Sequence, residues 1–261
     1  MINRKALKKL SKDQLNGQWT VPVLITLFIM VLQIILQSTL KIVNFGNVEN
    51  LGLDILWFVL STFILLTINV MINSFYLKIS KGSKVKFSDL FINTKTWIKG
   101  IGIQLLMTLI MLPLIVIYSI LLVITMLKYF NYIMMSGFGI TAYSPPASFY
   151  LIMLLFILIF AIALIILELY LFPALIIICE DNNNGLWKSI KYSFKMMRGN
   201  VWGLFVLQLS FIGWALLCIL TFGIGFLWLI PYTNTTLFNF YNEIRNKSQT
   251  NTNYNDITSL T

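Results

Sequence analysis

Glu168 is the one charged side chain in the apolar run from Ser148 to Cys179, and it carries the clearest chemical potential in the chain. Holding a carboxylate ionised near the centre of a bilayer costs about 2.5–3.5 kcal/mol or more. A proton-coupled carrier uses such an acid by neutralising it within the membrane. The residue also has a structural reading, because it stands five positions before Pro173. If the helix ends at that proline, the carboxylate reaches the interface and pairs with a loop lysine.

Neutral polar side chains offer a second constellation. Thr233, Asn234, Thr235, Thr236 and Asn239 follow Pro231, Gln208 stands in the preceding apolar run, and Asn69 and Asn73 lie in an earlier one. Glu168, Gln208, Asn234, Thr235 and Asn239 are the candidate intramembrane polar site. Amides and hydroxyls in such settings line a polar path or join helices, at roughly 0.6–2 kcal/mol each.

Catalytic chemistry lacks its parts. The sequence holds no His, no GxSxG, no HExxH and no paired carboxylates within the apolar runs. General acid–base and metal-assisted reactions therefore have no constellation to work with. Cys179 and Cys218 sit far apart in apolar context without CxxC spacing, which reads as two structural thiols. The expectation is a non-enzymatic protein with no metal and no cofactor.

A third set of residues is basic and helically ordered. Leu186, Trp187, Ile190, Phe194 and Met197 fall on one helical face, with Lys188, Lys191, Lys195 and Arg198 on the other. Phe87, Leu90, Phe91, Trp97 and Ile98 suggest a second such helix, with Ser88 placed to cap it. The first uses Ile2, Ala6, Leu7 and Leu10 against Arg4, Lys5, Lys8, Lys9 and Lys12. Gly17, Gly100 and Gly199 mark the three exits, which reads as a weak internal repeat. Near anionic lipid each Lys or Arg contributes roughly 1 kcal/mol. Lys8, Lys9, Lys188, Lys191, Lys195 and Arg198 are therefore the candidate lipid-surface contacts, with a docking surface for a protein partner as the alternative.

The elements that must position these residues are membrane spans. The chain has 58% hydrophobic and 11% charged residues and a mean hydropathy of +0.84, too little polar surface to clothe a water-soluble globule. Its apolar blocks have the 20 or so residues that cross a hydrocarbon layer about 30 Å thick. The spacing predicts an all-α membrane bundle with about six spans in three hairpins, at 19–40, 53–77, 101–127, 148–178, 201–221 and 226–242. Phe222-Gly223-Ile224-Gly225 is the turn between the last two, because glycine admits backbone angles other residues resist. No small-x-small site follows Gln37-Ser38-Thr39-Leu40-Lys41, so the first span is expected to be retained. The segment 244–261, rich in Asn, Thr and Ser, reads as a disordered tail.

Lysine and arginine counts orient the spans. One side receives 17 of them, from Arg4 to Lys12, Lys78 to Lys99, Lys188 to Arg198, and Arg245 and Lys247; the other receives Lys41 and Lys128. This asymmetry is expected to place both termini in the cytoplasm. It also accounts for the net charge of +10 without nucleic acid.

Met196-Met197-Arg198-Gly199-Asn200, Ser210-Phe211-Ile212-Gly213-Trp214, Gly223-Ile224-Gly225, Pro231-Tyr232 and Phe240-Tyr241 form a recognisable set. Together with Arg4-Lys5-Ala6-Leu7-Lys8 and Leu15-Asn16-Gly17-Gln18-Trp19, they resemble the bacterial membrane family catalogued as domain of unknown function 975. The likeness rests on 171–241 and the first 20 residues, about a third of the chain; over 101–165 only hydrophobicity matches. The resemblance implies a bacterial multi-span protein, akin in architecture to the membrane regions attached to some glycerophosphodiester phosphodiesterases but without the hydrolase domain.

Two functions follow as expectations. The first is a scaffold, a transport accessory or an immunity protein against membrane-active peptides, working with a membrane partner such as a transporter. The second is a small transporter or channel built on a buried Glu168 and the polar face of the sixth span.

Overall fold

The computed structural model describes residues 2–43, 51–130, 134 and 146–258, and these form helices α1 (Arg4–Leu15), α2 (Thr20–Val43), α3 (Leu51–Ser80), α4 (Thr94–Lys128), α5 (Ala147–Glu180), α6 (Leu186–Met197), α7 (Val201–Leu220) and α8 (Phe226–Thr258). A short 3-10 turn, Phe87–Leu90, precedes α4. Among the described residues there is no strand. Glu49, the side chain of Lys41 and most of the 128–147 connection lie outside the described residues.

Among the described residues four helices are long and apolar enough to cross a membrane: α3 over Gly52–Ser80, α4, α5 and α7. Arg4–Leu15 with Thr20–Leu36, bent by 96°, makes a fifth if the pair counts as one. Six were expected. The difference lies partly in α8, whose Thr233, Asn234, Thr235, Thr236 and Asn239 dilute its apolar character. Pro113 and Pro173 lie inside α4 and α5 without ending either.

The chain divides into two compact units. The first comprises Met1–Gln104 and Phe172–Thr261, and α8 is its hub, packing against α1, α2, α3, α6 and α7. Leu15, Ile25, Phe75, Tyr76, Ile79, Phe240 and Tyr241 are among its fully buried side chains. Gly100 brings α4 against α3, because a Cβ there would overlap the Val70 side chain. Between α7 and α8 the chain reverses through Thr221–Gly225, with positive φ at Phe222 (52°) and Gly223 (87°). Gly225 lets the turn close on Cys218, whose Sγ would stand 2.6 Å from an added Cβ.

The basic segments do not repeat one design. Gly17 and Gly199 take positive φ at helix exits, but Gly100 is an interior residue of α4. The second amphipathic helix is replaced by the 3-10 turn and the start of α4. Ser88 does not cap it; Asp89 accepts from the Lys86 N–H instead, at 2.7 Å. In α1 the buried stripe is Leu7, Ser11 and Leu15, at a spacing of four, while Leu10 is exposed. In α6 Ile190 and Met197 are buried as expected, but Trp187 is exposed and Ser189 and Ser193 take its place on the buried face. Small side chains there let α6 lie close to α8.

α8 continues through the segment whose composition suggested disorder. Ile244 is buried and Arg245 is ion-paired, so packing extends the helix past the apolar stretch.

The second unit, Leu105–Leu171, holds most of α4 and α5 as an antiparallel pair. Tyr118 stacks on Phe160 with ring centroids 4.1 Å apart, and Tyr129 meets Phe149 at 4.8 Å. Eleven residues forward on α4 thus match eleven back on α5, which sets Glu168 level with Ile110. None of the most apolar 18-residue stretch of either helix is buried.

Candidate functional site

The end of α5 carries the most heavily paired acid of the described residues. Glu180 has a side chain only 9% exposed, and its Oε1 meets Lys81 Nζ at 2.6 Å and Arg245 Nη1 at 2.7 Å. The Tyr241 hydroxyl donates to Oε2 at 2.9 Å. A buried carboxylate needs partners of this kind to offset its lost hydration. Two segments converge on the end of α5 to supply them: the exit of α3, and two positions four apart on one face of α8.

A polar layer surrounds this acid within the first unit. Asn239, 3% exposed, donates to Ser11 Oγ at 2.9 Å and to Gln14 Oε1 at 2.7 Å, tying α8 to α1. Gln14 donates to the Ser80 carbonyl at 2.9 Å, and Asn242 donates to Ser80 Oγ at 3.0 Å. Gln18 accepts from the Val85 N–H at 3.0 Å. Lys99 donates to the carbonyls of Asn182 and Asn184, fixing the start of α4 to the loop after α5. Two cavities flank Glu180. One of about 240 Å³ is lined by Asp181, Asn184, Lys188, Ser189, Tyr192 and Arg245, and one of about 270 Å³ by Lys78, Lys81, Asn93, Thr96 and Cys179. A third, about 630 Å³, is framed by Trp19, Trp214, Trp228 and Tyr232, with Lys12 and Asp13 among its lining residues.

The polar residues expected to form a membrane site are distributed otherwise. Asn239 belongs to the α1–α8 network. Asn234 is half-buried on α8 and, with Thr26, hydrogen-bonds the Tyr76 phenol. Thr235 is buried and donates to the Pro231 carbonyl at 2.8 Å, within its own helix. Gln208 is half-buried on α7. Asn73 donates to Asn69 Oδ1 at 2.7 Å, so these two amides satisfy each other on α3. Glu168 belongs to the second unit and is exposed, not buried by the protein as a carrier's acid would be.

The candidate lipid contacts also separate. Lys188, Lys191, Lys195 and Arg198 are all exposed, opposite the buried face of α6, and Lys9 is exposed on α1. Lys8 is engaged: its ammonium stands 4.2 Å from the Phe211 ring centroid and donates to the Ser210 carbonyl at 3.3 Å. Partial burial, with Arg4 and Lys12 nearby, holds its pKa below the ordinary lysine value.

Sequence reasoning missed Glu180 and its partners. The available signal was the acidic pair Glu180-Asp181 at the end of an apolar run, with Tyr241 and Arg245 one helical turn apart elsewhere.

Helices with this apolar exposure, joined by polar contacts near their ends, define a helical membrane protein. The chain belongs to the family described as Protein of unknown function (DUF975), whose model matches residues 1–248. The match takes in 101–165, where only hydrophobicity is legible. No curated protein and no solved structure matches the chain.

Proposed function

We propose that this is a non-enzymatic multi-pass protein of the bacterial plasma membrane that serves other membrane components, as a scaffold, an accessory to transport or export, or a protector against membrane-active peptides. The observation that carries this reading is the second unit, whose two helices leave their most apolar stretches unburied. Such a surface meets lipid and partner helices along its length. Within the first unit, the polar groups a conducting path would use are already engaged: Asn239 by Ser11 and Gln14, and Thr235 and Thr236 by carbonyls of α8.

Orientation follows from the 17-to-2 charge asymmetry, which favours a cytoplasmic polar layer around Glu180 and cytoplasmic termini. The convergence of Gln14, Lys81, Lys99 and Arg245 in one unit supports this assignment. In that arrangement α6 presents Lys188, Lys191, Lys195 and Arg198 to anionic headgroups of the inner leaflet. Deletion of the gene, followed by challenge with membrane-active peptides and by secretion assays, tests the role. Altered sensitivity or export is the expected result; both unchanged would overturn it.

A small transporter or channel is the second reading, and the depth of Glu168 along α5 is the observation that favours it. Flux through reconstituted protein that Glu168→Gln leaves unchanged would remove the acid from any such mechanism.

A further inference from the structure

Glu180 and Glu168 are carboxylates of the same helix in opposite circumstances. Glu180 meets two cations and a phenol. Glu168 is exposed and has no hydrogen bond or ion pair among the described residues. α5 continues through Pro173, so twelve residues, about 18 Å of helical rise, separate the two. The antiparallel register gives the same depth from α4. Ile110, level with Glu168, lies eleven residues after Lys99 and eighteen before Lys128, about 16 and 27 Å of rise. Both measures set the carboxylate along the apolar length of the helix pair, the stretch that a hydrocarbon layer roughly 30 Å thick would cover.

We propose that Glu168 is a docking point for a membrane-spanning helix of another protein that carries a lysine or arginine near its middle. The proposal rests on the reading of this chain as one that serves a membrane partner, and it names that partner's chemistry. An ionised acid facing lipid is unfavourable, and a cation at the same depth relieves it. Among the described residues, the four long apolar helices of a second copy supply no such cation. In α3, α4, α5 and α7 every lysine lies towards an end, at Lys78, Lys95, Lys99 and Lys128, and none of these helices contains an arginine. The face around Glu168 suits a helix: Leu154, Leu158 and Ile165 share its stripe and are exposed, and Ala161 between them permits close approach.

The test uses the full chain, donor-labelled, in phosphatidylcholine/phosphatidylglycerol vesicles. The probes are two acceptor-labelled polyleucine helices, identical except for a central Lys or a central Leu. The Lys helix is expected to associate about tenfold more tightly, the worth of one good interhelical polar contact. Glu168→Gln, isosteric and exposed, should bring it down to the Leu level without altering thermal unfolding. Glu168→Lys should in turn prefer a helix with a central Glu. Equal association of both probes with the wild type, or a Lys preference that survives Glu168→Gln, would overturn the proposal. So would self-association of the chain that Glu168→Gln abolishes, since it would assign the acid to a second copy. A deletion phenotype that Glu168→Gln leaves fully complemented would also overturn the docking point, while leaving the service role standing.

Discussion

Glu180 and Arg245, 65 residues apart in sequence, meet at 2.7 Å and join the end of α5 to α8. Lys81 reaches the same oxygen from the exit of α3 at 2.6 Å. One acid thus gathers three helices, and because its side chain is nearly buried, its removal leaves two cations facing each other.

Glu180→Gln is expected to destabilise the protein by roughly 1–3 kcal/mol, below the full cost of breaking a buried pair because Lys81 and Arg245 are 46% and 32% exposed. Thermal unfolding in detergent reads the loss. In a cycle with Arg245→Met the two changes should be clearly non-additive. Additivity would show that the pair does not couple.

Asn239→Leu removes the donor that Ser11 and Gln14 share. A cost of roughly 1–3 kcal/mol is expected, because the buried Ser11 oxygen and the half-buried Gln14 oxygen lose the amide that donates to them. The loss should appear as loosening of α1. A cysteine at Leu15, buried in the wild type, should react with a maleimide several times faster in the Asn239→Leu background. Unchanged labelling would place the anchor of α1 elsewhere.

Gly100→Ala forces a methyl into the Val70 side chain. Overpacking of this kind costs roughly 1–3 kcal/mol. Val70→Ala should recover part of it in the double variant, as judged by unfolding midpoints. A double variant no more stable than Gly100→Ala alone would argue against the close approach of α3 and α4.

Asp89 accepts from Lys78 at 2.8 Å and from the Lys86 N–H at 2.7 Å, and these contacts, the Lys78 bond foremost, hold its carboxyl below the usual aspartate value. The unfolded chain therefore takes up the proton first as pH falls. The stabilisation is fully present above the unfolded value near 3.9 and is lost as pH drops through the lower folded value. The stability margin of wild type over Asp89→Asn should be constant near neutrality and shrink below about pH 4. A margin that grows on acidification would reverse the assignment.

Class and helix content are legible in the sequence because both follow from apolar length and charge spacing, which are local. The exits at Gly17 and Gly199 are local too, since a positive φ favours one residue type. What escapes is pairing at a distance. Nothing near Glu180 announces Lys81 or Arg245, and hydrophobicity alone puts Trp187 on the buried face of α6 where Ser189 and Ser193 belong. The polar residues of α8 were legible as a cluster, but whether they line a path or bind neighbours depends on Ser11 and Gln14, more than 200 residues away. The reach of α5 was ambiguous for a related reason: a proline ends an isolated helix more readily than one held by packing.

The depth of Glu168 underlies both the transporter reading and the docking point. It can be measured by placing a nitroxide at 159, 168 and 181 in turn and comparing relaxation by oxygen with relaxation by a water-soluble nickel chelate in vesicles. Position 168 should show high oxygen and low nickel accessibility, like 159, while 181 should be open to nickel. Nickel accessibility at 168 equal to that at 181 would put the acid in water and contradict its place in the hydrocarbon.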